Sequence, residues 1–141
     1  MKTQNERIVE WNAERQLIKT PNDVDLCKEI SFITEECLEM VSDIKSEDAR
    51  QMAESIACNS ILAHSDDIVN APRAVDALCD IIVFCTGAIR KLGYDPDIAM
   101  DEVLKEIESR TGSIQNGKFT KDKSPEAVSK WYTADFTKAE L

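Results

Sequence analysis

Glu35, Glu36 and Glu39 stand together in the run Glu35-Glu36-Cys37-Leu38-Glu39, and two further acids, Asp76 and Asp80, stand four apart in an otherwise apolar stretch. These are the side chains whose types and spacing could do chemistry. On a helix turning about 100° per residue, Glu35 and Glu39 are separated by about 40° and one turn. Glu36 reaches the same patch as the i,i+3 neighbour of Glu39. Three carboxylates crowded this way repel by roughly a few tenths of a kcal/mol per exposed pair. Taken alone, such a cluster reads as a solvated acidic face.

The second pair shifts the balance. From Val75 to Ile89 the chain reads VDALCDIIVFCTGAI, in which only Asp76, Asp80 and Thr86 are polar. A helix apolar on all sides is expected to be largely buried, which would put Asp80 in the interior. An unpaired buried carboxylate must be neutral, salt-bridged or bound to a metal. Asp76, one turn earlier on the same stripe, makes an arginine partner less satisfying and a divalent cation more so. Oxygen donors of this kind suit a hard cation. Mg²⁺ keeps several waters and binds through a few carboxylates and substrate phosphates, and Mn²⁺ is expected to substitute. The alternative is a salt-bridge network with Arg73, Arg90 or Lys105. A di-iron bundle centre is disfavoured, because it uses Glu-x-x-His pairs and His64 is the only histidine.

These acids need long helices to carry them, and the punctuation predicts five. The first covers about 3–18, with Ile8, Trp11, Arg15 and Ile18 at helical spacing, and is broken by Thr20-Pro21-Asn22. The second runs over roughly 23–45 behind a cap at Asn22 or Asp23, with Leu26, Ile30, Ile33, Cys37, Met40 and Ile44 as its apolar positions. Ser46-Glu47-Asp48 opens a third, about 47–64. Asn70-Ala71-Pro72 opens a fourth that ends at Gly93. Asp95-Pro96 starts a fifth, ending at Thr111-Gly112. Between Ser113 and Phe119 an Asn116-Gly117 pair predicts a short hairpin. Ser124-Pro125-Glu126 caps one more short helix reaching Tyr132. The last ten residues read as a tail, with Trp131, Tyr132 and Phe136 available to pack on the domain or on a partner subunit.

The chain of 141 residues suffices for one domain with its own core. No apolar run approaches the roughly 18 residues that cross a membrane, and the polar start MKTQNERIVEW carries no apolar signal core, so a cytoplasmic, membrane-free protein is expected. Cys27, Cys37, Cys58, Cys79 and Cys85 form no CxxC spacing. They read as small buried hydrophobes in a reducing compartment. Residues 22–80 carry a local charge of −10, whereas residues 105–130 carry +2 through Lys105, Arg110, Lys118, Lys121, Lys123 and Lys130. Nucleic acid would be repelled by the acidic body. A small polyanion could bind if cations bridged it to the acids and the basic segment met its phosphates.

The pattern of EExxE at Glu35, Glu36 and Glu39, then a paired acid motif at Asp76 and Asp80, resembles the all-α nucleoside triphosphate pyrophosphohydrolases. That superfamily includes MazG, dimeric dUTPases and phosphoribosyl-ATP pyrophosphohydrolase. The resemblance spans about residues 5–120. It departs at the second motif, where Ala77 occupies the position expected for the Glu of ExxD and Asp76 is the nearest substitute. The run VDALCDIIVF…GAIRKLGYDPDIAMDEV is similar to MazG-like members of bacteria and phages.

The resemblance implies an all-α fold, a four-to-five-helix bundle of MazG-like type over residues 1–120, with a C-terminal extension at 121–141 holding a short turn and helix. It implies hydrolysis of a (d)NTP to (d)NMP and pyrophosphate, with a slight preference for a purine dNTP such as dGTP; dUTP and phosphoribosyl-ATP are the substrates of rival members. Glu35 or Glu36 would be the general base, and Glu35, Glu36, Glu39, Asp76 and Asp80 the Mg²⁺ ligands. Lys105 and Arg110 would meet the phosphates, with Lys118 assisting from the following turn. For Arg110 the alternative is an i,i+4 pair with Glu106. Trp11 and Arg15 fall where related enzymes shape the base pocket, although a core tryptophan is the ordinary alternative. A wide apolar fourth helix points to a homo-oligomer, either a dimer or a dimer of dimers. The competing class is a non-catalytic helical oligomerisation module.

Overall fold

The computed structural model describes residues 1–18, 20–41, 43–61 and 70–141, all but the side chains of residues 60 and 61. The chain is mostly helical. Its elements are α1 (Gln4–Glu14), α2 (Leu26–Val41), α3 (Ser46–Ile56), α4 (Ala71–Lys91), α5 (Pro96–Glu108), β1 (Gly112–Gln115), β2 (Lys118–Lys121) and α6 (Pro125–Val128). Among the described residues no helix is long and apolar enough to cross a membrane. Two compact units are present. The inserted unit is Lys19–Asn70, and the flanking unit is Met1–Ile18 with Ala71–Leu141.

In the flanking unit, α1 starts at a capping box. Thr3 Oγ1 accepts from the Glu6 N–H at 3.2 Å, and the Thr3 N–H donates to the Glu6 carboxylate at 2.7 Å. That bond from Thr3 also holds the Glu6 carboxyl below its ordinary range. The helix stops at Glu14, short of the expected Ile18, because Gln16 turns into the left-handed region at φ 56°. Asp95 caps α5 by accepting from Asp97 and Ile98 N–H groups at 2.9 and 3.1 Å, with Pro96 in the first turn. Arg7 ties α1 to α5. Its Nε and terminal nitrogen reach both oxygens of Glu108 at 2.9 and 3.1 Å, and its other terminal nitrogen reaches Asp101 at 3.0 Å. Glu108 first, then Asp101, raises the guanidinium pKa further.

The predicted hairpin is present. β1 and β2 pair antiparallel, Gly112 opposite Lys121 and Gln115 opposite Lys118. Asn116 and Gly117 take φ of 52° and 75°, as a two-residue turn with both central residues left-handed requires. Gly112 admits no side chain, since a Cβ there would lie 2.0 Å from the Thr120 carbonyl oxygen. Beyond the hairpin, Ser124 caps α6, and the remaining chain folds back along α5. The Tyr132 N–H donates to Ser109 Oγ at 2.8 Å, the Asp95 N–H to the Ala139 carbonyl at 2.7 Å, and the Leu141 N–H to the Gly93 carbonyl at 3.1 Å. Ala99, Glu102, Leu104 and Ala139 are the buried positions of this unit.

The inserted unit is built on α2 packed against α3. The expected cap at Asn22 or Asp23 lies elsewhere. Pro21–Asp23 form a 3-10 turn in which Asp23 accepts from the Thr20 hydroxyl, and Asp25 accepts from the Lys28 N–H at 3.2 Å at the true start of α2. The third predicted helix begins at Ser46, one residue before the expected 47, with Lys45 rather than Ser46 at its N-cap and no side-chain cap bond, and changes to a π-helical turn at Ala57–Ile61; its expected end at residue 64 lies outside the described residues. Among the described residues, the positions this unit buries are small or polar: Ser31 and Glu35 on α2, Ala49 and Ala53 on α3, and Ala57 beyond it.

Two further expectations are corrected. The fourth predicted helix has the expected length and stops at Gly93 (φ 93°), but none of its residues is buried. Val75, Leu78, Ile82, Val83 and Phe84 are exposed, Phe84 at 76%, and so is Asp80. A helix apolar all round needs cover all round, and within its unit α4 packs on α5 alone to any extent. The cysteines are not five buried thiols either. Cys27 and Cys58 form a disulfide, whereas Cys37, Cys79 and Cys85 are free and exposed. The pairing follows from α2 and α3 folding back on one another, which brings the start of one to the end of the other; no sequence spacing encodes that.

Candidate functional site

α2 carries the first acidic motif, and its three acids differ in surroundings. Glu35 is buried at 4% exposure, with Arg50 Nε 4.0 Å from its carboxylate, while Glu36 and Glu39 are exposed. Glu35 falls on the inward stripe because it follows Ser31 by one turn, and these are the two buried positions of α2. The buried acid of the motif is thus Glu35, not Asp80. Asp76 and Asp80 are exposed on α4, so burial does not require a counter-ion at either. Glu35, Glu36 and Glu39 belong to the inserted unit, Asp76 and Asp80 to the flanking one. Carboxylate oxygens fit a hard cation in donor chemistry. Among the described residues, however, no three His, Cys, Asp or Glu side chains gather as a metal-holding group.

A second constellation assembles in the flanking unit from residues about 100 positions apart. Arg15, one residue past α1, lies over the Trp11 ring at 4.1 Å and over the Phe119 ring at 4.8 Å. Trp11 and Phe119 meet edge to face at 5.2 Å. A cation between two π faces is held by their quadrupoles as well as by packing. Arg15 donates to the Trp11 carbonyl at 3.2 Å and to the Arg110 carbonyl at 3.3 Å, and the Trp11 indole donates to the Ile107 carbonyl at 3.4 Å. The helical spacing of Trp11 and Arg15 puts both on the face turned to α5. The hairpin returns Phe119 to the same place.

Arg110, just past the end of α5, pairs with Glu106 at 3.1 Å and lies 5.3 Å from the Trp131 ring. The i,i+4 pair is therefore formed. The Nε atoms of Arg15 and Arg110 and the Nε1 of Trp131 are buried with no hydrogen-bond partner among the described residues. A groove of about 790 Å³ opens along α1 and α5, lined by Arg7, Glu10, Trp11, Glu14, Arg15, Asp101 and Glu108 among others. Trp11 and Arg15 line this groove beside the carboxylates of Glu10, Glu14, Asp101 and Glu108, whereas Arg110 and Trp131 do not.

Of the other basic candidates, Lys105 is engaged by a different acid. Lys105 donates to Glu102 at 2.7 Å and does not pair with Arg110; five residues of helix separate them by about 140° of rotation. Lys118 is half-buried at the start of β2, next to Phe119. Reading the sequence missed Glu102, which is 1% exposed and accepts from Lys105, from the Tyr132 hydroxyl, from the Asp135 N–H at 3.1 Å and from Lys138 at 3.4 Å. Lys105 first, then Tyr132, holds its carboxyl down at about 2. Its position three residues after Ala99, on the same inward stripe, was the available signal. Phe119 and Trp131 were also unassigned to the site; their neighbours are set by the hairpin and the returning tail. Comparison with protein-family models, curated proteins and solved structures finds no match to this chain.

Proposed function

We propose that this chain is a Mg²⁺-dependent nucleoside triphosphate pyrophosphohydrolase of MazG-like type, converting (d)NTP and water to (d)NMP and pyrophosphate in the cytoplasm. The observation that carries the reading is the meeting of Trp11 and Arg15 with Arg110. All three are expected at the substrate on sequence grounds; Arg15 stacks on Trp11 and donates to the backbone carbonyl of Arg110, whose own guanidinium lies beside Trp131. In this reading the Trp11 and Arg15 side meets the base, Arg110 and Lys118 meet the phosphates, and Lys105 acts mainly by pairing Glu102.

Mg²⁺, with Mn²⁺ as substitute, would neutralise phosphate charge and acidify a bound water. Glu35, Glu36, Glu39, Asp76 and Asp80 are the acids the sequence assigns to it. Glu36 rather than Glu35 takes the general-base role, since Glu35 is buried beside Arg50 whereas Glu36 is exposed. A purine dNTP such as dGTP is the preferred substrate, ahead of dUTP and phosphoribosyl-ATP. The exposed apolar length of α4 supports a homodimer or dimer of dimers.

The test is pyrophosphate release across a panel of dNTPs with Mg²⁺ or Mn²⁺, on the wild type and on Glu36→Gln and Asp80→Asn. Turnover on at least one dNTP, lost in both variants with helical circular dichroism intact, is expected. Full turnover in both variants would remove the carboxylate–metal proposal. The same exposed α4 also favours a second reading, a non-catalytic helical oligomerisation module. Calorimetric titration with Mg²⁺ and a non-hydrolysable nucleotide separates the two, since the module would bind neither.

A further inference from the structure

The structure assigns to Cys27 and Cys58 a thiol-responsive clamp on the helix pair that carries the acidic motif. Cys27 is the second residue of α2, and Cys58 sits in the π-helical turn after α3, with their Cα atoms 6.1 Å apart. The covalent loop between them contains the whole of Glu35-Glu36-Cys37-Leu38-Glu39 and all of α3. Among the described residues of the inserted unit the buried side chains are three alanines, Ser31 and Glu35, with no large apolar one. A segment of this size with so small a core depends on staples. A cross-link acts by removing open conformations from the chain, so its state sets how firmly α3 covers Glu35 and how steadily α2 displays Glu36 and Glu39.

Cys58 is exposed and Cys27 half-buried, so the Cys58 sulfur is the accessible end. A thiolate of a small dithiol attacks Cys58 Sγ, the S–S bond breaks, and Cys27 leaves as a thiolate that takes up a proton. The second thiol of the reductant then displaces Cys58 as a thiolate that takes up a proton, and the reductant departs as a cyclic disulfide, having left its two electrons on the two cysteines. A small-molecule disulfide drives the reverse exchange. Nothing in this scheme depends on the pyrophosphohydrolase reading.

The test uses the full chain, oxidised with glutathione disulfide or reduced with dithiothreitol. Iodoacetamide labelling after denaturation should modify five cysteines in the reduced chain; in the oxidised chain Cys27 and Cys58 should carry neither label nor glutathione, while Cys37, Cys79 and Cys85 carry one or the other. Amide exchange across residues 26–58 should quicken by about tenfold or more on reduction, while α5 and the tail stay unchanged. Cys27→Ser/Cys58→Ser should exchange like the reduced chain with or without dithiothreitol. Cys37→Ser/Cys79→Ser/Cys85→Ser should keep the full response. Five labelled cysteines under oxidation, or equal exchange across residues 26–58 in both redox states, would overturn the proposal.

Discussion

The Tyr132 hydroxyl donates to the buried carboxylate of Glu102, and through that bond the C-terminal segment is fastened to α5. Lys138 completes the fastening by donating to the Tyr132 oxygen at 2.9 Å and to Glu102 at 3.4 Å. Tyr132, and after it Glu102, raises the Lys138 pKa.

This fastening should be sensitive to acid. Glu102 titrates at about 2 in the folded chain instead of the usual 4.5. A depressed carboxyl contributes stability that is full above its unfolded value and is lost as pH falls through the folded one. The tail should therefore loosen between about pH 4.5 and pH 2. Trp131 fluorescence and amide exchange over residues 132–141, followed against pH, would report it. Glu102→Gln should loosen the tail already at neutral pH and flatten the acid limb. An unchanged acid limb in that variant would assign the transition to other carboxyls.

The α2–α3 contact rests on small side chains. Ala53 is fully buried, and its replacement by Leu should cost about 1–3 kcal/mol through overpacking. Urea unfolding followed by circular dichroism measures this. A change under about 0.5 kcal/mol, the range of ordinary surface substitutions, would mean that the helices part without resistance.

Arg15 and Arg110 should act on substrate binding more than on turnover. If the proposed activity holds, Arg15→Ala and Arg110→Ala should each raise KM by about tenfold or more with a smaller fall in kcat. Glu36→Gln should instead collapse kcat. Steady-state kinetics on the best dNTP distinguishes the two patterns. Unchanged KM in both arginine variants would detach these two side chains from the substrate.

α4 offers a direct test of self-association. Phe84→Asp places a charge in its exposed apolar length, and light scattering should then report a particle near 15.8 kDa where the parent chain is larger. An identical mass for parent and variant would remove α4 from the interface.

What the sequence by itself determined are the features governed by neighbours along the chain. Asp95-Pro96 opens a helix, Gly93 closes one, and Asn116-Gly117 turns a hairpin, because each depends only on local backbone preferences and on side chains within one turn. Periodicity also placed Glu35, Glu36 and Glu39 on one helix. It could not say that Glu35 would be the buried acid and Asp80 an exposed one, because burial depends on which element lies opposite. The Cys27–Cys58 bond, the meeting of Arg15 with Arg110, and the fastening of Tyr132 to Glu102 were likewise settled only by tertiary structure. Each joins positions more than 20 residues apart. A repeating apolar pattern identifies the face a helix turns inward, but not the partner that face will meet.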